Sequence, residues 1–187
     1  MRLRTAFAPI ALLFAPAWAA AEVVDSSSGG FTVKTIVVIQ ASPEDVYRRL
    51  VRGIGDWWDP AHTFSGDAHN LSIEEKPMGC FCEKLAGQGG VRHMEVVFLA
   101  PGKRLVMTGA LGPLQPLAVT GSMTIQLAPA DGGTRLEATY AVGGYVPAGL
   151  NTLAAPVDGV LKQQFTRLKN YTERGEPVPK SEPKGPR

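Results

Sequence analysis

At 187 residues, 44% hydrophobic and 19% charged, the chain has material for one globular domain with a sizeable core plus appendages. Its formal charge of +2 comes from 19 basic and 17 acidic residues; Arg2 and Arg4 supply the excess, so the rest is close to neutral. That leaves no electrostatic case for nucleic acid, which asks for a concentrated basic face.

Residues 1–20 read as a secretory signal. Arg2 and Arg4 form a positive start, Ala6 to Phe14 is a short apolar run interrupted by Pro9, and Ala17-Trp18-Ala19 gives a small-x-small cleavage pattern, with Ala19-Ala20-Ala21 as an alternative. The apolar run is short for a bilayer core of about 30 Å, and no later segment is long enough to span one. The expected compartment is the periplasm or the exterior. Residues 21–30, polar and rich in Ser and Gly, are expected to be a flexible lead.

The domain is expected over 31–174. Phe31 to Ile39 is a β-branched run that reads as a strand. Ser42 can cap the helix that follows, with Pro43 in its first turn and Glu44 and Asp45 favourable to its dipole. Val46, Tyr47, Leu50 and Val51 share one face at helical spacing; Gly53 and Gly55 end the helix, and Ile54 with Trp57-Trp58 continues a second short turn. From Asn70 the period falls to two. Strands are expected near Leu71–Glu75, Cys80–Leu85, Val91–Leu99, Arg104–Ala110, Leu117–Leu127 and Thr134–Val142, punctuated by Gly and Pro. Alternation is clean in the last two, which implies an antiparallel sheet with one covered face. Leu150, Leu153, Ala154, Val157, Val160, Leu161, Gln164, Leu168 and Tyr171 then recur every three or four residues, predicting a long amphipathic helix that ends near Glu173. Pro156 is expected to kink it or delay its start. The tail, 175–187, is Pro-rich, lacks apolar material and is expected to be disordered. The fold class is α+β: a curved seven-stranded antiparallel sheet, two short helices and a long C-terminal helix enclosing a cavity.

Three motifs in this order, I-Q-A-S-P-E-D-V-Y-R-R-L at 39–50 followed by Trp57-Trp58, P-M-G-C-F-C-E at 77–83, and P-G-K-R-L at 101–105, resemble the START-like (SRPBCC) superfamily, the birch-pollen-allergen-like helix-grip fold. The chain is most similar to its branches of heat-shock-protein ATPase activators and polyketide-cyclase-like proteins. The resemblance implies binding of a lipid, polyketide or other hydrophobic small molecule between sheet and helix, with catalysis in some members. An exported protein would meet neither that chaperone nor ATP, and a family label alone does not transfer activity.

Trp57, Trp58 and Phe64 are candidates to line the cavity entrance, or the tryptophans pack the short helices onto the sheet. Met94, Phe98, Met107, Met123, Tyr140, Leu153 and Val157 are expected on the inner wall, although both parities around Met94 and Met107 are apolar. His62 and His69, in a loop with Asp56, Asp59 and Asp67, and His93 on a strand are the candidate acids or bases; the loop histidines fit a solvated turn-rich segment better than an acid–base pair. Cys80 and Cys82 point to one side of a strand, where a disulfide is strained, since its Cβ atoms prefer roughly 3.5–4.5 Å, although in an oxidising compartment a bulge could still allow one. The expected state is two small apolar side chains packed in the sheet, with a metal site alongside His93 as the weaker alternative; C-x-C falls short of a zinc signature. No phosphate loop, nucleophile elbow or H-E-x-x-H is present, and no cofactor is expected. The favoured expectation is a non-enzymatic binder of a hydrophobic small molecule, ahead of a cyclase or hydrolase using a cavity histidine and ahead of a protein-interaction module acting through the sheet or the tail.

Overall fold

The computed structural model of the chain describes residues 20–178. The signal segment lies outside the described residues except for Ala20, as does the tail beyond residue 178. The elements are β1 (Ala20–Ser27), β2 (Gly30–Ile39), α1 (Pro43–Arg52), α2 (Ile54–Trp57), β3 (Leu71–Ile73), β4 (Cys80–Lys84), β5 (Gly90–Ala100), β6 (Arg104–Gly109), β7 (Ala118–Ala130), β8 (Gly133–Tyr145) and α3 (Asn151–Arg174). All strands join one sheet of order β1-β2-β8-β7-β6-β5-β4-β3, and every pairing is antiparallel.

The sheet has eight strands rather than seven. The extra one is β1, where a flexible lead is expected from the sequence; it pairs with β2 from Ala20↔Ile36 to Ser27↔Gly30. As an edge strand its described residues are exposed on both faces, so its sequence carries no alternation to reveal it.

Helix α1 forms as its sequence dictates. The Ser42 hydroxyl accepts the Asp45 N–H at 3.2 Å, Pro43 occupies the first turn, and Val46, Tyr47, Leu50 and Val51 are buried. Helix α3 begins at Asn151, ahead of Pro156, and runs through it to Arg174, so the proline does not delay its start. Its buried face, Leu161, Gln164, Phe165 and Leu168, packs mainly over β2 and β1. Polar contacts stitch it down: Arg167 Nε donates to the Trp57 carbonyl at 2.8 Å, Gln164 Oε1 accepts the Asp59 N–H at 2.9 Å, and Lys169 Nζ donates to the Val38 carbonyl at 2.6 Å.

The core lies between helices and sheet. Across its middle the strand registers align Val96, Met107, Met123, Tyr140 and Val33 in one row spanning β5, β6, β7, β8 and β2. All five are at most 4% exposed. Each large apolar side chain buried this way contributes roughly 1.5–3 kcal/mol.

Candidate functional site

The site begins with a fault in strand pairing. Between β4 and β5, Phe81 pairs with Met94 and Cys82 with Arg92, leaving His93 as an extra residue on β5. Such a bulge re-aims side chains. Here it turns the consecutive residues His93 and Met94 both inward. On β4, Phe81 and Glu83 share the inner face. His93 Nε2 therefore meets Glu83 Oε2 at 3.0 Å, with side-chain exposures of 5% and 0%.

The loop between α2 and β3 completes this centre. The Ser65 N–H donates to Glu83 Oε1, and the Phe64 ring stacks on the His93 ring at 5.9 Å between centroids and 21° between planes. Phe81 lies against the imidazole at 5.2 Å, and Trp58 meets Phe81 edge-on at 5.8 Å. A buried carboxylate–imidazole pair is thus enclosed by aromatic rings.

Electrostatics assign its protonation. Burial pushes the Glu83 carboxyl up, but the Ser65 hydroxyl and N–H, the Phe64 N–H and His93 together hold it below the usual carboxylate value. The Ser65 hydroxyl also reaches the Asp67 carbonyl at 3.0 Å, and its single proton serves one acceptor at a time. Burial pushes His93 below its ordinary value, against the opposing pull of Glu83. The imidazole is therefore neutral at pH 7. An ionised carboxylate only accepts, so Nε2 carries the proton and Nδ1 keeps its lone pair.

The loop between β6 and β7 is pinned to the same bulge. The Gln115 amide nitrogen lies within hydrogen-bond reach of the Arg92 carbonyl at 2.7 Å, the His93 carbonyl at 3.2 Å and the Ala110 carbonyl, and its two protons are shared among these three acceptors. Leu114 beside it is buried. Gly109 faces the bulge with φ +149, and a Cβ there would strike the His93 carbonyl oxygen. The Tyr140 hydroxyl ties this corner to β8, donating to the Gly109 carbonyl at 3.2 Å and accepting the Leu111 N–H at 3.3 Å. Burial pushes its pKa up to about 12. Leu111, Leu117, Val119, Val146, Leu153 and Val157 are only partly buried and pack on the core. They come from this loop, the start of β7, the segment after β8 and the first turns of α3.

The expected wall residues divide. Met94, Met107, Met123 and Tyr140 are buried on the inner face, and Leu153 and Val157 are half-buried on α3. These side chains pack together in the core; hollows of about 370 Å³ by the β1–β2 turn and about 170 Å³ by α1 open on the outside. Phe98 is a correction. A second bulge at Val97 reverses the parity of β5, so Phe98 is 48% exposed on the outer face, with the Arg104 guanidinium 5.3 Å from its ring centre. Trp57 belongs to the core: it is 1% exposed, donates to the Arg49 carbonyl at 3.1 Å and stacks on Phe165. Trp58 is one ring away from His93, through Phe81.

Of the histidines, His93 is inside. His62 and His69 are exposed on the loop, His69 with Nδ1 4.0 Å from Asp56 Oδ1. Cys80 and Cys82 are a second correction. They form a disulfide on the outer side of β4, with Cα atoms 5.3 Å apart where pairing with β5 is irregular, so neither is a free packed thiol or a thiolate ligand. Among the described residues, no three His, Cys, Asp or Glu side chains are grouped to hold a metal ion, and no helix is long and apolar enough to cross a membrane. Glu83, Ser65 and Gln115 escape sequence reading. The one available signal is the alternation C-F-C-E, which sets Glu83 on the face of Phe81.

No curated protein matches the chain. Among solved structures it resembles an uncharacterised protein from Rhizobium leguminosarum (18% identity, 83% of this chain and 98% of that one, TM-score 0.59). It also resembles the Aha1 dimer from Colwellia psychrerythraea (18%, 77% and 97%, 0.54) and CalU16 from Micromonospora echinospora (16%, 88% and 88%, 0.54). At such identities the likeness is one of fold, the helix-grip fold. A family model described as polyketide cyclase / dehydrase and lipid transport matches residues 30–173. The chain belongs to that polyketide cyclase/dehydrase and lipid transport family, of SRPBCC type.

Proposed function

We propose that this protein is an exported, non-enzymatic binder of a small hydrophobic molecule, lipid-like or polyketide-like, held between the sheet and α3. The observation that carries this reading is the central inner row, in which Met107 and Met123 pair directly across β6 and β7, with Met94 nearby. Methionine is flexible and polarisable, so a methionine-lined interior repacks around a guest more readily than a branched one. The half-buried apolar side chains of the β6–β7 loop and the start of α3 give the guest an apolar way in. Family membership supports the same class of ligand.

Export rests on the signal-like sequence at 1–20 and is supported by the Cys80–Cys82 disulfide, a bond that persists in oxidising compartments. Fractionation of the native host should find the protein outside the cytoplasm; a cytoplasmic full-length chain would remove this part of the reading.

The binding test is mass spectrometry of organic extracts from protein purified from its native host, with saturable uptake of a lipophilic dye by the stripped protein. A stoichiometric apolar compound, or saturable uptake that the compound displaces, is expected. Neither ligand nor uptake across a lipid panel would end the proposal. An acid–base enzyme is the second reading, favoured by the Glu83–His93 pair. A substrate turned over by the wild type and not by His93→Phe would establish it in place of the carrier.

A further inference from the structure

We propose that His93, oriented by Glu83, is the polar anchor of the interior and selects hydrophobic ligands that carry a hydroxyl donor, a phenol, enol or sterol-like alcohol. This inference rests on the binding function above and adds the chemistry by which one apolar guest is told from another.

Burying a carboxylate gives the fold no clear advantage, because its desolvation cost offsets much of what its hydrogen bonds return, and apolar side chains of similar size fill such a place as well. Glu83 nevertheless sits fully buried, with donors from Ser65 and His93. Those donors do one specific thing: they fix which imidazole nitrogen holds the proton. With Nε2–H committed to Glu83, Nδ1 is a neutral acceptor of fixed orientation. Among the described residues no hydrogen bond reaches Nδ1. Nor is it one of the wholly buried polar atoms that lack a partner, and the His93 side chain keeps 5% of its surface in solvent contact.

The surroundings suit an aromatic or polycyclic guest. Phe64 is 53% exposed yet stacked on His93, so an aromatic ring already occupies one imidazole face from a position open to solvent. A guest ring at the Nδ1 edge can lie beside the Phe64 ring while its hydroxyl meets the Nδ1 lone pair in the imidazole plane. A guest with an ether or no oxygen would bury Nδ1 unpaired, which binding energetics penalise.

The experiment is calorimetric titration of the stripped full chain with 2-naphthol and 2-methoxynaphthalene, which share a ring system and differ in the donor. Wild type is expected to favour 2-naphthol about three- to tenfold, the worth of one neutral hydrogen bond. His93→Phe is expected to lose that preference while still binding the ether. In case that variant fails to fold, nitrogen-15 NMR of wild type gives a second readout: Nδ1 of His93 should shift with 2-naphthol and not with the ether. Equal binding of both compounds without an Nδ1 shift overturns the anchor and leaves hydrophobic binding standing. Binding of neither compound overturns the anchor and counts against the binding function as well.

Discussion

Glu83 and His93 meet at 3.0 Å because β5 carries one residue more than β4 can pair. Without the bulge, alternation would send either His93 or Met94 outward. The pair is held from three sides: the strand fault sets its geometry, the Phe64–Ser65 loop caps it, and Gln115 ties the β6–β7 loop to the Arg92 and His93 carbonyls at the bulge.

Breaking the pair on one side should cost more than removing it. His93→Leu leaves a buried carboxylate short of a donor and is expected to destabilise the fold by about 3 kcal/mol, while Glu83→Met with His93→Leu should recover much of that loss. Urea denaturation of the two single variants and the double variant measures the coupling. Strictly additive losses would show that the two side chains act independently.

Acid should destabilise the protein in two stages. His93 and Glu83 both have folded values below their ordinary ones, 6.5 and 4.5. The stability that each contributes is fully present above its ordinary value and is lost as pH falls through the lower, folded one. Thermal melts should lose Tm first below about pH 6.5, through His93, and further below about pH 4.5, through Glu83. The first stage should vanish in the Glu83→Met, His93→Leu double variant. On the alkaline side Tyr140, raised from 10.0 to about 12, works in the opposite sense. Its contribution, on the order of 3 kcal/mol, is intact below pH 10 and is lost as pH rises towards 12.

Gly109→Ala tests the corner that links the bulge to Tyr140. A Cβ at φ +149 would strike the backbone of His93, so the variant should lose at least about 2 kcal/mol. It should also disturb the His93 resonances. A neutral substitution would mean that β6 can draw away from the bulge at no cost.

Reducing the Cys80–Cys82 disulfide should change global stability little, by roughly 1–2 kcal/mol, because the closed loop is so short. Peptide mapping without reductant should find both cysteines in one oxidised peptide. Two freely alkylated thiols in protein taken from an oxidising compartment would contradict the bond.

Helix α1 and strands β7 and β8 were legible because each buries one side of a regular pattern, as the Val46–Tyr47–Leu50–Val51 face of α1 and the alternation of β7 and β8 show, while β5 and β6 stood out as apolar runs between Gly and Pro turns. β1 was not, because an edge strand exposed on both sides has no pattern to keep. The site was legible only in pieces. Alternation placed Met123 and Tyr140 correctly and misplaced Phe98, since the bulge at Val97 shifts parity in mid-strand. His93 stood out as a residue type, but its partner did not: a bulge leaves no mark in composition, and Glu83 among cysteines and lysine reads as a surface residue.

The most direct test of ligand binding on the inner face is methyl NMR of protein labelled at its methionines and titrated with 2-naphthol. The methyl signals of Met94, Met107 and Met123 should shift saturably, while that of Met78, which is 79% exposed, should stay in place. Shifts confined to Met78, or none at saturating probe, would contradict binding between the sheet and α3.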